Sequence, residues 1–247
     1  MTEPDEPTVV LDGFHALKHA LRFGAHIERA LTTDKAAALG LARQLAPDLT
    51  DRLATLLEPA APEALTALTP RIHPTGVAAL AVRPAADVPA TGRTAPTVVL
   101  DNPRHLGNIG AVVRLAAGTG AAGVITTGTT DPWHPHVVRA AAGLHFALPV
   151  TRRTSPDELP PGPLYALDPE GQDIRTLAEP IPPDALLAFG SERHGLTAAT
   201  RTRATHLIAL PMRPEVSSYN LATSVAMTLY HWLSTSPAGP AAPAADR

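Results

Sequence analysis

Apolar positions in the second half of this chain come in short unbroken runs. Thr97-Val-Val-Leu100, Gly123-Val-Ile-Thr-Thr127, Ala147-Leu-Pro-Val150, Pro163-Leu-Tyr-Ala-Leu167, Ala185-Leu-Leu-Ala-Phe189 and His206-Leu-Ile-Ala-Leu210 are each strand-length and bounded by turn-forming residues. A strand without alternating polar positions has no solvent face, so runs of this kind predict a parallel sheet covered by helices on both sides. Helical spacing predicts helices over Ile109 to Ala117, Pro135 to Ala142, Thr197 to Thr202 and Ser218 to Leu233. In such a fold, functional residues belong on the loops beyond the carboxyl ends of the strands.

The first part of the chain has the same alternation on a smaller scale. Thr8 to Leu11, Ile27 to Leu31 and Val77 to Val82 read as strands, and His15 to Phe23, Lys35 to Leu45 and Asp51 to Leu57 as helices or a further element. This predicts a small α/β domain over residues 8–84. Residues 85–96 lack periodicity and carry Pro and Gly, which predicts a linker before a second domain over 97–233. Residues 234–247 are Pro, Ala, Ser and Gly with nothing to bury, which predicts a disordered tail.

Composition narrows the chemistry. A chain of 247 residues with 45% apolar and 17% charged residues can bury one large or two medium cores. It has no cysteine, so disulfides, thiol nucleophiles and thiolate metal sites are excluded. The net charge of −3 argues against a broad polyanion-binding field. Only Lys18 and Lys35 are lysines; the other basic residues are arginines. Glu3, Asp5 and Glu6 reverse the basic start of a signal peptide, and no apolar run approaches the roughly 18 residues of a membrane helix. A cytoplasmic protein is the expectation.

Gly118-Thr-Gly120-Ala-Ala-Gly123 matches the G-x-G-x-x-G of dinucleotide sites, but that motif must leave a strand and open a helix. Here the predicted helix precedes it and the strand follows, so a helix C-cap and tight turn are expected instead of a nicotinamide enzyme. His15 with His19, and His134 with His136, lack a third ligand at a telling spacing, so no metal site is expected.

Three loops combine small residues with polar groups at strand ends: Leu100 to Gly110, running into a helix with Arg114; Leu187 to Leu196; and Ile208 to Leu221. Gly107, Gly110, Gly190 and Gly195 permit close backbone approach or positive φ. Ser218 and Asn220 stand where either could cap the last helix. Arg114 sits among small and apolar residues, a setting in which a buried guanidinium would need an anionic partner.

These loops resemble the three motifs of the SpoU (TrmH-like) branch of the SPOUT methyltransferases. Asn108-Ile-Gly-Ala-Val-Val-Arg114 is similar to the first, Phe189-Gly-Ser-Glu-Arg-His-Gly-Leu196 to the second, and Leu210-Pro-Met-Arg with Ser218-Tyr-Asn220 to the third. Val137 to Gly143 with Leu148 to Val150 resembles the stretch between the first two. Val10 to Ala16 and His73 to Ala78 resemble, more loosely, a ribosomal-protein-like substrate-binding domain. The chain departs from the family's usual pattern at His105-Leu106, at Ala141 and at Tyr219, where the third motif usually reads Ser-Leu-Asn.

The resemblance implies a catalytic domain with a deep trefoil knot, and transfer of a methyl group from S-adenosylmethionine to a ribose 2′-hydroxyl of ribosomal or transfer RNA by a homodimer. It assigns Arg114, Asn108, Glu192, Ser218 and Asn220 to the chemistry, with Arg114 as proton acceptor or electrostatic orienter. Phe189, Gly190, Ser191, Gly195, Leu210, Met212, Ser218, Asn220 and Leu221 would hold the cofactor, and Arg104, Arg139, Arg193, Lys18 and Arg22 would meet the RNA. Met227, Tyr230 and Trp232 on the last helix are expected either at the dimer interface or in the core. An RNA-binding module without catalysis is the alternative, against which the joint presence of the five polar residues argues.

Overall fold

The computed structural model of the chain describes residues 7–236. Its first elements are β1 (Thr8–Asp12), α1 (Phe14–Arg22), β2 (Ile27–Thr32), α2 (Lys35–Leu45), α3 (Thr50–Leu56), β3 (Leu57–Pro59), α4 (Pro62–Thr66) and β4 (Val77–Val82). Next come β5 (Thr97–Leu100), α5 (Leu106–Thr119), β6 (Gly123–Thr127), α6 (Pro135–Ala140) and β7 (Val150–Arg153). The chain continues with β8 (Leu164–Asp173), β9 (Leu186–Phe189), α7 (Ala198–Arg203), β10 (His206–Ala209) and α8 (Leu221–Thr235).

Two compact units result. One takes the chain up to Ala86 together with Trp133–Ala147, the other Asp87–Pro132 with the chain from Leu148 onward. In the first, a sheet of order β1-β4-β2-β3 has β4 antiparallel to both neighbours and β3 parallel to β2. Residues 133–147, which the sequence pattern leaves with the second domain, pack here: Arg139 pairs with Asp12 at 3.2 Å, and the Arg83 guanidinium lies over the Trp133 ring. At Gly143 a Cβ would come within 2.4 Å of the Ala16 carbonyl oxygen, so glycine is required where this segment meets α1.

The second unit carries a six-stranded sheet of order β10-β8-β9-β5-β6-β7, parallel throughout. Its central strand β5 is buried at all four positions, as the unbroken apolar run requires. Val88, Val99, Ile125, Leu164 and Ala188 form part of the core beside it. Residues 85–96 are therefore more than a tether: Val88 is packed, and a buried Arg93 donates to the carbonyls of Pro89, Ala90, Pro161 and Asp184.

Three sequence expectations shift. The run Ala147 to Val150 starts its strand only at Val150, because Pro149 has no N–H for the ladder. The last helix begins at Leu221 and runs to Thr235, so Ser234 and Thr235 are helical. Residues 237–247, the remainder of the expected tail, lie outside the described residues. The misleading glycine motif takes its expected shape: Gly120 caps α5 at φ 69°, and Gly123 opens β6.

Candidate active site

β5 and β9 pair in register with Leu100 opposite Phe189, so the loops that follow them start side by side. Asp101, buried at the end of β5, joins three segments. Its N–H donates to the Phe189 carbonyl at 2.8 Å, while its carboxylate accepts from the Thr127 hydroxyl at 2.9 Å and the Thr197 N–H at 2.6 Å. Asp101 falls within the first loop, Leu100 to Gly110, and is not among the candidates that the sequence motifs mark. The signal was an acidic residue directly after a fully apolar strand.

Beyond β9 the chain makes a tight hairpin, closed by Ser191 N–H to Gly195 O at 2.9 Å and Gly195 N–H to Ser191 O at 3.0 Å. Gly195 has φ +65°, and a Cβ on Gly190 would stand 2.1 Å from the Gly195 carbonyl carbon. Both glycines are needed for a turn this narrow, which presents Glu192 and Arg193 at its tip. Gly107 differs: it lies inside α5 with open space around its Cβ position, so neither reason first given for it applies.

Three of the expected polar residues form a directed chain of hydrogen bonds. Asn220, and not Ser218, caps α8, its Oδ1 accepting from the N–H groups of Ala222 and Thr223. With Oδ1 engaged there, its Nδ2 donates to Asn108 Oδ1 at 3.2 Å. Asn108 Nδ2 in turn donates to Glu192 Oε1 at 2.8 Å. Burial pushes the Glu192 carboxyl up, but the Asn108 amide, backbone N–H groups of Glu192 and Arg104, and the charge of His105 outweigh it and hold the group below its ordinary range. Glu192 Oε2 is buried and has no partner among the described residues.

Two cavities meet at Glu192. One, of about 430 Å³, is lined by Phe189, Gly190, Ser191, Gly195, Leu210, Met212, Ser218 and Leu221, all expected to hold the cofactor, and also by Leu167, Asp168, Pro169, Arg193 and Tyr219. The other, of about 440 Å³, takes His105, Asn108, Glu192, Ser218, Tyr219, Asn220 and Leu221. Asn220 thus lines the second cavity and not the first. Asp168 and Pro169 were not anticipated. They belong to a stretch of β8 that leaves the β10 ladder, which pairs Leu207 with Ala166 and then Ile208 with Gln172. Asp168 accepts from Arg201 Nη1 at 2.8 Å.

The structure does not gather the remaining candidates. Arg114 lines neither cavity; it is exposed on α5 and has no hydrogen bond or ion pair among the described residues, contrary to the buried setting read from its small neighbours. Arg104 is exposed beside the site. Lys18, Arg22 and Arg139 belong to the first unit, where Arg22 pairs with Asp48 at 2.6 Å and Arg139 with Asp12. Trp232 is 2% exposed and fills the core, while Tyr230 is 73% exposed. No group of three His, Asp or Glu suited to a metal ion occurs among the described residues.

The profile of the SpoU rRNA Methylase family matches residues 95–230, which contain the hairpin, the hydrogen-bond chain and both cavities. The chain belongs to the SpoU rRNA methylase family. It is 33% identical over 145 residues to the 23S rRNA (uridine(2479)-2′-O)-methyltransferase of Streptomyces viridochromogenes, over 54% of this chain and 50% of that protein. It is 26% identical over 229 residues to the 23S rRNA (guanosine(2553)-2′-O)-methyltransferase RlmP of Bacillus subtilis, covering 91% and 88% of the two chains. With an uncharacterized tRNA/rRNA methyltransferase of Synechocystis it shares 33% identity over 55% of that protein, so these matches span between about half and nine-tenths of the relatives. The crystal structure of the SpoU methyltransferase AviRb from Streptomyces viridochromogenes, in complex with the cofactor AdoMet, superposes with a TM-score of 0.72 at 27% identity, over 91% of this SpoU chain and 89% of that one.

Proposed function

We propose that this SpoU-family chain transfers a methyl group from S-adenosylmethionine to a ribose 2′-hydroxyl of ribosomal RNA. The observation that carries the reading is the chain Asn220–Asn108–Glu192, which fixes two amides and a carboxylate where the two cavities meet. The cavity beside the hairpin suits the cofactor, because Phe189, Leu210, Met212 and Leu221 give apolar walls while Gly190 and Gly195 leave backbone groups uncovered. When bound there, S-adenosylmethionine supplies an electrophilic methyl group on a positively charged sulfur.

A ribose hydroxyl is a weak nucleophile, so the protein must orient it and find a destination for its proton. Donors around Glu192 favour its ionised form, and its buried, unpartnered Oε2 can accept from a ribose hydroxyl and orient it. Asn108 and Ser218 border the same cavity and can hold the sugar. Arg114 completes the arrangement as an orienter of the hydroxyl through an RNA phosphate. A guanidinium offers a phosphate both a positive charge and a planar fork of donors.

Because Arg114 lines neither cavity, we place it at the interface of a homodimer, in which the exposed Tyr230 of α8 is also a contact. The first unit takes part in RNA recognition, with Lys18, Arg22 and Arg139 as candidate contacts. No described helix is long and apolar enough to cross a membrane.

The test is methyl transfer to total RNA from cells lacking the gene, with ribose methylation mapped against cells that carry it. Arg114→Ala is expected to abolish transfer while calorimetry still records S-adenosylmethionine binding. Full activity in that variant overturns the role of Arg114; a protein that binds no cofactor overturns the reading as an enzyme.

A further inference from the structure

We propose that the ring of Tyr219 is the platform on which the base of the target nucleotide stacks, an inference that rests on the RNA methyl-transfer reading above. Single-nucleotide recognition in RNA commonly splays a base out of its strand and lays it on an aromatic face. Of the chain's four Phe, three Tyr and two Trp, Tyr219 alone combines a place on both cavities with an exposed position, at 39%. Phe189 lines the first cavity but is only 2% exposed, and the exposed Tyr230 lines neither.

The ring is held at both ends. Its backbone lies between Ser218 and the helix-capping Asn220, and its hydroxyl donates to the Pro211 carbonyl across the loop at 3.0 Å. A ring fixed before the ligand arrives loses little freedom on binding, which favours a stacking role over that of a passive surface residue. Ser218 and Asn220, on either side of Tyr219 in sequence, both border the second cavity, and Asn220 is bonded to Asn108 there. A base on Tyr219 therefore leaves its own ribose beside the Asn108–Glu192 pair. Arg193 borders the first cavity and can meet a flanking phosphate.

The experiment compares the full-length protein with Tyr219→Phe, Tyr219→Leu and Tyr219→Ala. Each is assayed for KM on ribosomal RNA from cells lacking the gene and for Kd of S-adenosylmethionine by calorimetry, with matched thermal melts to show that each variant is folded. Leu and Ala are expected to raise KM for RNA about tenfold or more, the range a single base–aromatic stack commands, and to raise the cofactor Kd by a clearly smaller factor, since Tyr219 also borders the cofactor cavity. Phe keeps the ring and should stay near wild type.

Three results would overturn the proposal: an unchanged RNA KM in Leu and Ala, a loss confined to cofactor binding, or a Phe variant as impaired as Ala, which would assign the effect to the Pro211 bond. If wild type methylates no RNA, the functional reading fails by itself. Stacking is then decided by fluorescence of an unpaired oligoribonucleotide carrying 2-aminopurine. Quenching by wild type and Phe but not by Leu supports the platform, and equal signals refute it.

Discussion

Glu192 owes its charge to a contest between burial, which favours the neutral acid, and the donors that surround it, chiefly the Asn108 amide. The donors prevail, so the folded-state pKa lies below the ordinary glutamate value. The sign follows from linkage: a depressed carboxyl contributes stability above its unfolded pKa and loses it as pH falls through the folded one. Glu192→Gln is therefore expected to be less stable than wild type by a constant margin from pH 7 down to about pH 5, with the margin closing at lower pH. Urea midpoints measured across that range check this, and a margin that widens on acidification would contradict it. Asn108, Glu192 and Asn220 were legible as motif letters; what joins them was not, because the order of donors and acceptors depends on which amide caps α8. The buried setting expected for Arg114 fails for a different reason. Gly107, Ala111 and Gly118 share its side of α5 and are not buried there, and small residues look alike to a pattern search whether they face a core or the solvent.

Among the elements, β5 and β9 with the loops that leave them form the frame of the site, and Asp101 ties that frame together. Replacing it with Ala leaves the Thr197 N–H and the Thr127 hydroxyl without their acceptor. Asp101→Ala is expected to cost about 1–3 kcal/mol for each group left unsatisfied and buried, and to weaken S-adenosylmethionine binding through the loosened hairpin. Asp101→Asn keeps an acceptor for the Thr197 N–H and should lose less. Urea unfolding with cofactor titration on both variants measures the difference, and equal losses would show that charge, not shape, governs the joint. The strands of the parallel sheet were readable because burial on both faces writes itself as consecutive apolar letters. β3 was not: it is three residues long, ends at Pro59 and exists through its pairing with β2. The excursion of β8 was equally silent, since Asp168 to Asp173 are mostly polar and read as a loop.

For the molecule as a whole, a net charge of −3 and the pairing of its arginines limit how RNA can be held. Arg22, Arg139, Arg153, Arg175 and Arg201 each face a carboxylate within 4.0 Å. If Arg104, Arg193 and Arg114, which have no carboxylate partner among the described residues, supply the two or three phosphate contacts, the slope is about −2 in a plot of log affinity against log salt. Filter binding of ribosomal RNA between low and moderate salt measures it, and a slope steeper than about −5 would require more phosphate contacts than these three arginines supply. The two halves were visible in the sequence as a change of pattern near residue 90, but the membership of residues 133–147 was not, because local periodicity carries no record of which distant segment a helix packs against. That membership has a consequence for synthesis. The piece carrying Arg139 to Asp12 and Gly143 to the Ala16 backbone leaves the ribosome some fifty residues after β4. The first unit must wait, its β1 and α1 surfaces uncovered, while β5, α5 and β6 of the other unit are made. Neither half can be released intact by cutting the chain once.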